Sequence, residues 1–243
     1  MPELEVAIAE LLSLLAHDLK NPLAATMTNV GFVESFVREL ETSTPTDDEI
    51  GEAREAMLDA RLACDALQRF VSNLEVLSRD LANLRGGEPA PVDLHAIADE
   101  VVARHLAAAE ARRIRIEVAG DACWAHADRD ALVRAADNAL ANALQHAPAG
   151  TRVLVEIARR EDDQVSLSFV DSGAVVPPEL RAEALSRDGQ ARLKGRPEGR
   201  YGRGLALYAA NVGARRAGGR LELGEREGRS VMAVILPRFD DAV

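Results

Sequence analysis

Near the N-terminus the chain reads Ala16-His17-Asp18-Leu19-Lys20-Asn21-Pro22-Leu23. An imidazole, a carboxylate at the next position and a carboxamide one helical turn on suit a nucleophile that accepts and returns a group. His17 lies two residues from both Leu15 and Leu19. At about 100° per residue it points away from the apolar seam those leucines belong to. Pro22 cannot donate a helical hydrogen bond, and its ring crowds the carbonyl of Asp18, so a bend is expected one turn after His17. A proline inside a helix costs roughly 3 kcal/mol, which argues for a compensating use. Taken alone, His17 reads as a solvated surface histidine.

Three further groups lie in the second half. Asn138, Asn142 and His146 are spaced one helical turn apart on one face. Asparagine is a poor mid-helix residue unless its amide is used, and a carboxamide oxygen can ligate Mg²⁺. Asp171-Ser172-Gly173 follows a strand pattern. A carboxylate there can accept from an exocyclic amine such as that of adenine, and the glycine permits close backbone approach. Gly199-Arg200-Tyr201-Gly202-Arg203-Gly204-Leu205 leads into a helix, where backbone N–H groups and the helix dipole favour phosphate. Arg200 and Arg203 can add charge-assisted contacts. Each group alone is also compatible with ordinary polar surface, a turn or a flexible loop.

The elements that must hold these groups follow from periodicity. Leu4, Ile8, Leu11, Leu15, Leu19, Leu23, Met27, Val30, Val37 and Leu40 predict a helix over 3–41. Thr46-Asp47-Asp48-Glu49 is a capping box, and the helix it opens is expected to run to about Leu84. Its seam is Ile50, Ala53, Met57, Ala60, Cys64, Leu67, Val71, Leu74 and Leu81, the strongest heptad pattern in the chain. Two such helices cannot surround their own apolar stripe, so pairing with a second copy into a four-helix bundle is expected. Arg85-Gly86-Gly87-Glu88-Pro89-Ala90-Pro91 reads as a linker. The expected division is 1–85, linker 86–91, and 92–243.

Beyond the linker, helices are expected over Leu94–Arg113, Asp130–His146 and Gly204–Ala217. Strands are expected over Ile114–Val118, Cys123–His126, Val153–Arg159, Val165–Val170, Leu221–Leu223 and Val231–Leu236. Pro177 to Gly202 reads as a mobile loop with one helical turn. The order predicts an α/β sandwich with helices over one face of a mixed sheet, so the fold class is multidomain, α and then α+β.

Composition excludes several roles. Of the 243 residues only 3% are aromatic, and the formal net charge is −11. That argues against nucleic-acid binding, which needs basic clusters or stacking platforms. Cys64 and Cys123 have no metal spacing and read as buried thiols in a reducing compartment. Neither a signal sequence nor the ~18 unbroken apolar residues of a membrane helix occurs. A cytoplasmic chain without membrane insertion is expected.

In this order, the motifs resemble the transmitter core of bacterial sensor histidine kinases, over nearly the whole chain. His17 to Pro22 is similar to the phospho-acceptor box of the dimerising hairpin, and Asn138 to His146 to the asparagine box of the ATP-binding domain. Asp171-Ser172-Gly173 resembles the first glycine box, and Gly202-Arg203-Gly204 the second. The resemblance implies the Bergerat (GHKL) ATP-binding fold shared with gyrase, Hsp90 and MutL, with ATP and Mg²⁺ as ligands. It implies that His17 takes the γ-phosphoryl group, Asp18 holds the ring, and Asn21 orients water when a response regulator is dephosphorylated. Asn142 would hold Mg²⁺, Asn138 and His146 would lie near the phosphates, and Asp171 would bind the adenine amine. Residues 178–203 would form a lid. The implied partners are a second copy, a receiver domain carrying an aspartate, and a sensor on another protein or outside this sequence. Val175 and Ala206 stand where the family usually has glycine, and no Phe occurs between Phe169 and Phe239. Two other readings stay open: a phosphotransferase relaying phosphate between receivers through His17 with a degenerate ATP site, and a non-catalytic interaction dimer.

Overall fold

The computed structural model describes residues 2–81, 87–186, 189, 193 and 206–239; for residues 2–15, 17, 18, 77 and 79–81 the description is of the backbone alone. Contacts divide the chain into two compact units, Met1–Leu74 and Glu75–Val243.

The first unit is a helical hairpin. Helix α1 spans Pro2–Glu39 and passes through Pro22, whose carbonyl accepts from Thr26 Oγ1 at 2.9 Å. Helix α2 spans Asp47–Leu81, its last turns belonging to the second unit. The capping box forms as its residue types require. Glu49 Oε2 accepts from the Thr46 N–H at 2.7 Å, and Thr46 Oγ1 accepts in return from the Glu49 N–H at 3.3 Å. These bonds, the backbone one foremost, hold the Glu49 carboxyl below its ordinary range.

The heptad seam is only partly covered. Its Ala53 and Ala60 are buried, as are Ala63 and Phe70 outside it, whereas its Met57, Cys64 and Val71, repeating every seven residues, are exposed. Cys64 is therefore not the buried thiol its heptad position suggested; Cys123 is buried. One neighbouring helix covers one side of a seam, and Cys64 lies at the edge of that cover, 3.9 Å from Thr26 Oγ1. On α1, Leu19, Leu23, Met27, Val30 and Val37 share one face at about 100° per residue, and all are exposed.

The first strand of the second unit is β1 (Ala90–Asp93), whose first two residues fall in the stretch expected to be linker. Pro91 disguised it, but β1 pairs only with β3 (Trp124–Ala127), so the missing N–H falls on an edge strand, where proline is tolerated. Helix α3 (Leu94–Ala111) leads to β2 (Arg115–Gly120), and β3 leads to α4 (Arg129–His146). Strands β4 (Arg152–Arg160) and β5 (Gln164–Asp171) form a hairpin, with Asp162 and Asp163 at φ 57° and 56° in its turn. A 3₁₀ turn at Pro178–Leu180 and α5 (Arg181–Ala184) precede α6 (Ala206–Arg216), β6 (Arg220–Arg226) and β7 (Arg229–Pro237). The main sheet has the order β2-β4-β5-β7-β6, parallel between β2 and β4 and antiparallel elsewhere.

Alternation assigns the two faces of the sheet. Val153, Val155, Ile157, Val165, Leu167, Phe169, Met232 and Val234 join the core beneath α3, α4 and α6. On the other face the central strands carry Ser166, Ser168 and Ala233, all buried. Long side chains from flanking strands roof them: Arg226 of β6 donates to Glu156 of β4 at 2.7 Å, and Arg160 of β4 to Glu222 of β6 at 3.0 Å. Partial burial opposes ionisation of Glu222, but Arg220 and Arg160 outweigh it and its pKa is lowered.

Candidate functional site

Helix α4 starts at a strong N-cap. Asp128 Oδ1 accepts from the Ala131 N–H at 3.1 Å, and Oδ2 accepts from the Gly87 N–H at 2.5 Å. The cap starts the 3.6-residue period that puts Asn138, Asn142 and His146 in one column. Asn138 and Asn142 are each 5% exposed, and His146, the last helical residue, is half-buried. Asn138 Nδ2 donates to the carbonyl of Arg134 at 3.0 Å. Helix α6 lies close against α4: a β-carbon on Gly213 would come within 3.1 Å of that of Ala135. Helix α3 runs beside α4, tied to it by Glu100 with Arg129 and by His105 Nε2 with Asp137 Oδ1 at 3.1 Å.

Strand β5 ends at Asp171, fully buried and in register with Ser230 of β7. Its Oδ1 accepts from the Gly173 N–H at 2.7 Å, which leads the chain into a turn beneath the end of α4. A β-carbon on Gly173 would lie 2.5 Å from the carbonyl oxygen of His146 and 2.8 Å from Asp171 Oδ1. The structure thus brings together the end of the asparagine helix, the buried carboxylate and the glycine turn. This arrangement can present a carboxylate acceptor and bare backbone to a flat polar ligand.

The segment expected to be a mobile loop is anchored where it is described. Ala184 and Leu193 are fully buried in the main core, and Leu185 packs against it. Asn211 Nδ2 of α6 donates to the carbonyl of Leu185 at 3.1 Å. The sequence reading missed Asn211, although an asparagine in mid-helix is the signal that singled out Asn138 and Asn142. Leu193 carried no signal, because its burial comes from residues distant in sequence.

Arg200, Gly202, Arg203 and Gly204 lie outside the described residues. So do the side chains of His17 and Asp18, whose backbone is helical within α1. Asn21 is exposed. Val175 is half-buried, and Ala206 is the first residue of α6. Among the described residues no group of three or more His, Cys, Asp or Glu could hold a metal ion.

A mixed sheet under three helices, with an asparagine helix ending over an Asp-x-Gly turn, defines a class of ATPase domain. Residues 127–240 match the family model described as histidine kinase-, DNA gyrase B-, and HSP90-like ATPase. With the helical hairpin that precedes it, the chain is similar to the transmitter core of sensor histidine kinases. It is 30% identical over 222 residues to the signal transduction histidine-protein kinase/phosphatase MprB of Mycolicibacterium smegmatis, covering 89% of this chain and 42% of that protein. It is 29% identical over 253 residues to the sensory histidine kinase/phosphatase NtrB of Rhizobium meliloti, covering 95% of this chain and 59% of that protein. Among solved structures, full-length ShkA in complex with AMPPNP has a similar fold, with a TM-score of 0.58 at 20% identity over 91% of this chain and 47% of that one. The chain spans 50–59% of the length of the first curated relatives it matches.

Proposed function

We propose that the chain is the ATP-dependent protein-histidine kinase core of a two-component system. It phosphorylates His17 and passes the phosphoryl group to an aspartate of a response regulator receiver domain. The observation that carries this is the meeting of buried Asp171, Gly173 and the end of α4: the Gly173 N–H donates to Asp171 Oδ1 at 2.7 Å, and a β-carbon on Gly173 would lie 2.5 Å from the His146 carbonyl oxygen. Relatives named as histidine kinases and kinase/phosphatases support it. ShkA, a protein of similar fold, was solved in complex with AMPPNP, which supports nucleotide binding as the activity class.

In this reading Asp171 accepts from the adenine amine, and Gly173 lets the turn that orients this carboxylate pack against the carbonyl of His146. Asn138 and His146 lie near the phosphates; Arg200, Gly202, Arg203 and Gly204, outside the described residues, are assigned to phosphate contact by the resemblance of their sequence alone. Asn142, a hard oxygen donor at a buried helix position, would hold a Mg²⁺ ion. When bound, the ion neutralises charge on the phosphate oxygens. A ring nitrogen of His17 attacks the γ-phosphorus as the bond to the β–γ bridging oxygen breaks, releasing ADP. Asp18 holds the other ring nitrogen and offsets the positive charge the ring acquires. Asn21 orients water for dephosphorylation of the response regulator. Positioning and charge stabilisation supply most of the catalysis.

The functional division is 1–85 as phosphotransfer hairpin and an ATP-binding domain to 243, in a cytoplasmic homodimer; of the linker expected over 86–91, Ala90 and Pro91 go to the ATP-binding domain as the start of β1. The exposed stripe of Leu19, Leu23, Met27, Val30 and Val37 supports the dimer, because a four-helix bundle covers what one hairpin leaves bare. Among the described residues no helix is long and apolar enough to cross a membrane.

ATP labelled at the γ-phosphate tests the reading. Wild type is expected to label itself in Mg²⁺, and His17→Ala is not. Asn142→Ala is expected to lose labelling by ATP yet still accept phosphate from a phosphorylated receiver. Val175 and Ala206 at glycine positions favour the phosphotransferase reading, and label arriving only from a receiver would establish it. Equal behaviour of His17→Ala and wild type in both assays would leave only an interaction dimer.

A further inference from the structure

We propose that Arg112 is a positioning residue for the nucleotide site, acting through the C-terminal end of α4; the proposal rests on the nucleotide reading above. The last carbonyls of a helix have no partner within the helix. Many helices close them with a glycine in the left-handed region, but here Ala147 is extended at ψ 132° and Pro148, which has no N–H, follows. The Ala147 N–H satisfies the carbonyl of Ala143 at 2.9 Å. The rest of the end needs a donor from elsewhere.

Arg112 supplies it from the C-cap of α3. One guanidinium nitrogen donates to the carbonyl of Leu144, the other to that of Ala147 at 3.2 Å. These carbonyls flank His146, whose own carbonyl is the one packed against Gly173. The clamp has a firm base. The Arg112 N–H donates back into α3, to the carbonyl of Ala109 at 3.2 Å. The next residues are laced to the loop after α4, by the Gly150 N–H to the Arg113 carbonyl at 3.0 Å and the Arg115 N–H to the Thr151 carbonyl at 3.1 Å.

A planar guanidinium can bridge two carbonyls at once, and its charge is favourable at a helix C-terminus. Lysine keeps the charge and loses the fork. Without the fork the last turn of α4 frays. Fraying shifts the His146 carbonyl against Gly173, whose N–H orients Asp171. Arg112 touches no ligand in this account; it fixes the distance between two parts that do.

The test measures binding of ATP with Mg²⁺ to the whole chain, and the KM and kcat of His17 labelling. Arg112→Ala is expected to weaken ATP about tenfold, the scale of one charge-assisted hydrogen bond, with the loss in KM and kcat within about twofold. Arg112→Lys is expected to remain several-fold weakened. Arg152→Ala, which breaks the exposed pair with Glu117 on the other face of the sheet, is expected to bind as wild type does. Should Arg112→Ala not fold, Arg112→Gln, which keeps one donor, takes its place with the same expectation. ATP affinity of the Arg112 variants within about twofold of wild type overturns the clamp alone. A wild type that binds no ATP overturns the nucleotide reading and the clamp together.

Discussion

Gly173 lies against the carbonyl of His146 so closely that a β-carbon there would sit 2.5 Å from the oxygen. The contact joins residues from different elements, the end of α4 and the turn after β5. Gly173→Ala must push the two apart, at the overpacking cost of about 1–3 kcal/mol. Because the same turn donates to Asp171, the displacement falls on the carboxylate proposed to accept from adenine. The expected outcome is a folded protein with a slightly lower melting temperature and ATP affinity reduced by about tenfold or more, read by calorimetry. Unchanged affinity would show that this turn does not border the nucleotide.

The proposed dimer makes a prediction on the opposite unit. Met27 is 68% exposed and lies within the bare α1 stripe. Met27→Lys puts a charge into the seam that a second hairpin would cover, while the hairpin itself loses no buried group. Sedimentation is expected to give a dimer for wild type and a weakened dimer or monomer for the variant. A monomeric wild type would remove the four-helix bundle from the account.

Acid should act on the start of α2. Hydrogen bonds from Thr46 lower the folded-state pKa of Glu49. A lowered carboxyl contributes stability above its unfolded pKa, and that contribution is lost as pH falls through the folded value. The loss is therefore expected below about pH 4. Glu49→Gln keeps an acceptor in the capping box without the titration, so its helix start should be insensitive over that range. Backbone amide shifts of residues 46–50 against pH would decide.

The charged roof over the sheet should be salt-sensitive. Arg226 and Glu156 pair at 2.7 Å with their side chains 48% and 29% exposed. A double-mutant cycle is expected to give a coupling of about 0.2–1 kcal/mol. At 1 M salt, with a screening length of about 3 Å, the coupling should shrink. A coupling that salt leaves untouched would mean that the stems covering Ser166 and Ser168, not the charges, stabilise this face.

Much of this architecture was legible because it obeys rules of short range. Helical period placed Asn138, Asn142 and His146 in one column, and Thr46 with Glu49 announced the start of α2. Where local signals conflict with remote ones, the reading failed. Pro91 reads as linker until β3 is seen to leave it an edge position. Cys64 reads as buried until one helix proves too narrow to cover a seam.

The sequence by itself determined the elements, their caps and the order of the motifs, since backbone propensities and side-chain period act over a few residues. Only the tertiary structure decided that Asp171, Gly173 and His146 meet, that Leu193 is core, and that Arg112 reaches the end of α4. Those contacts join positions tens of residues apart. Strand register and helix packing set them, and no local preference encodes where a distant backbone will pass.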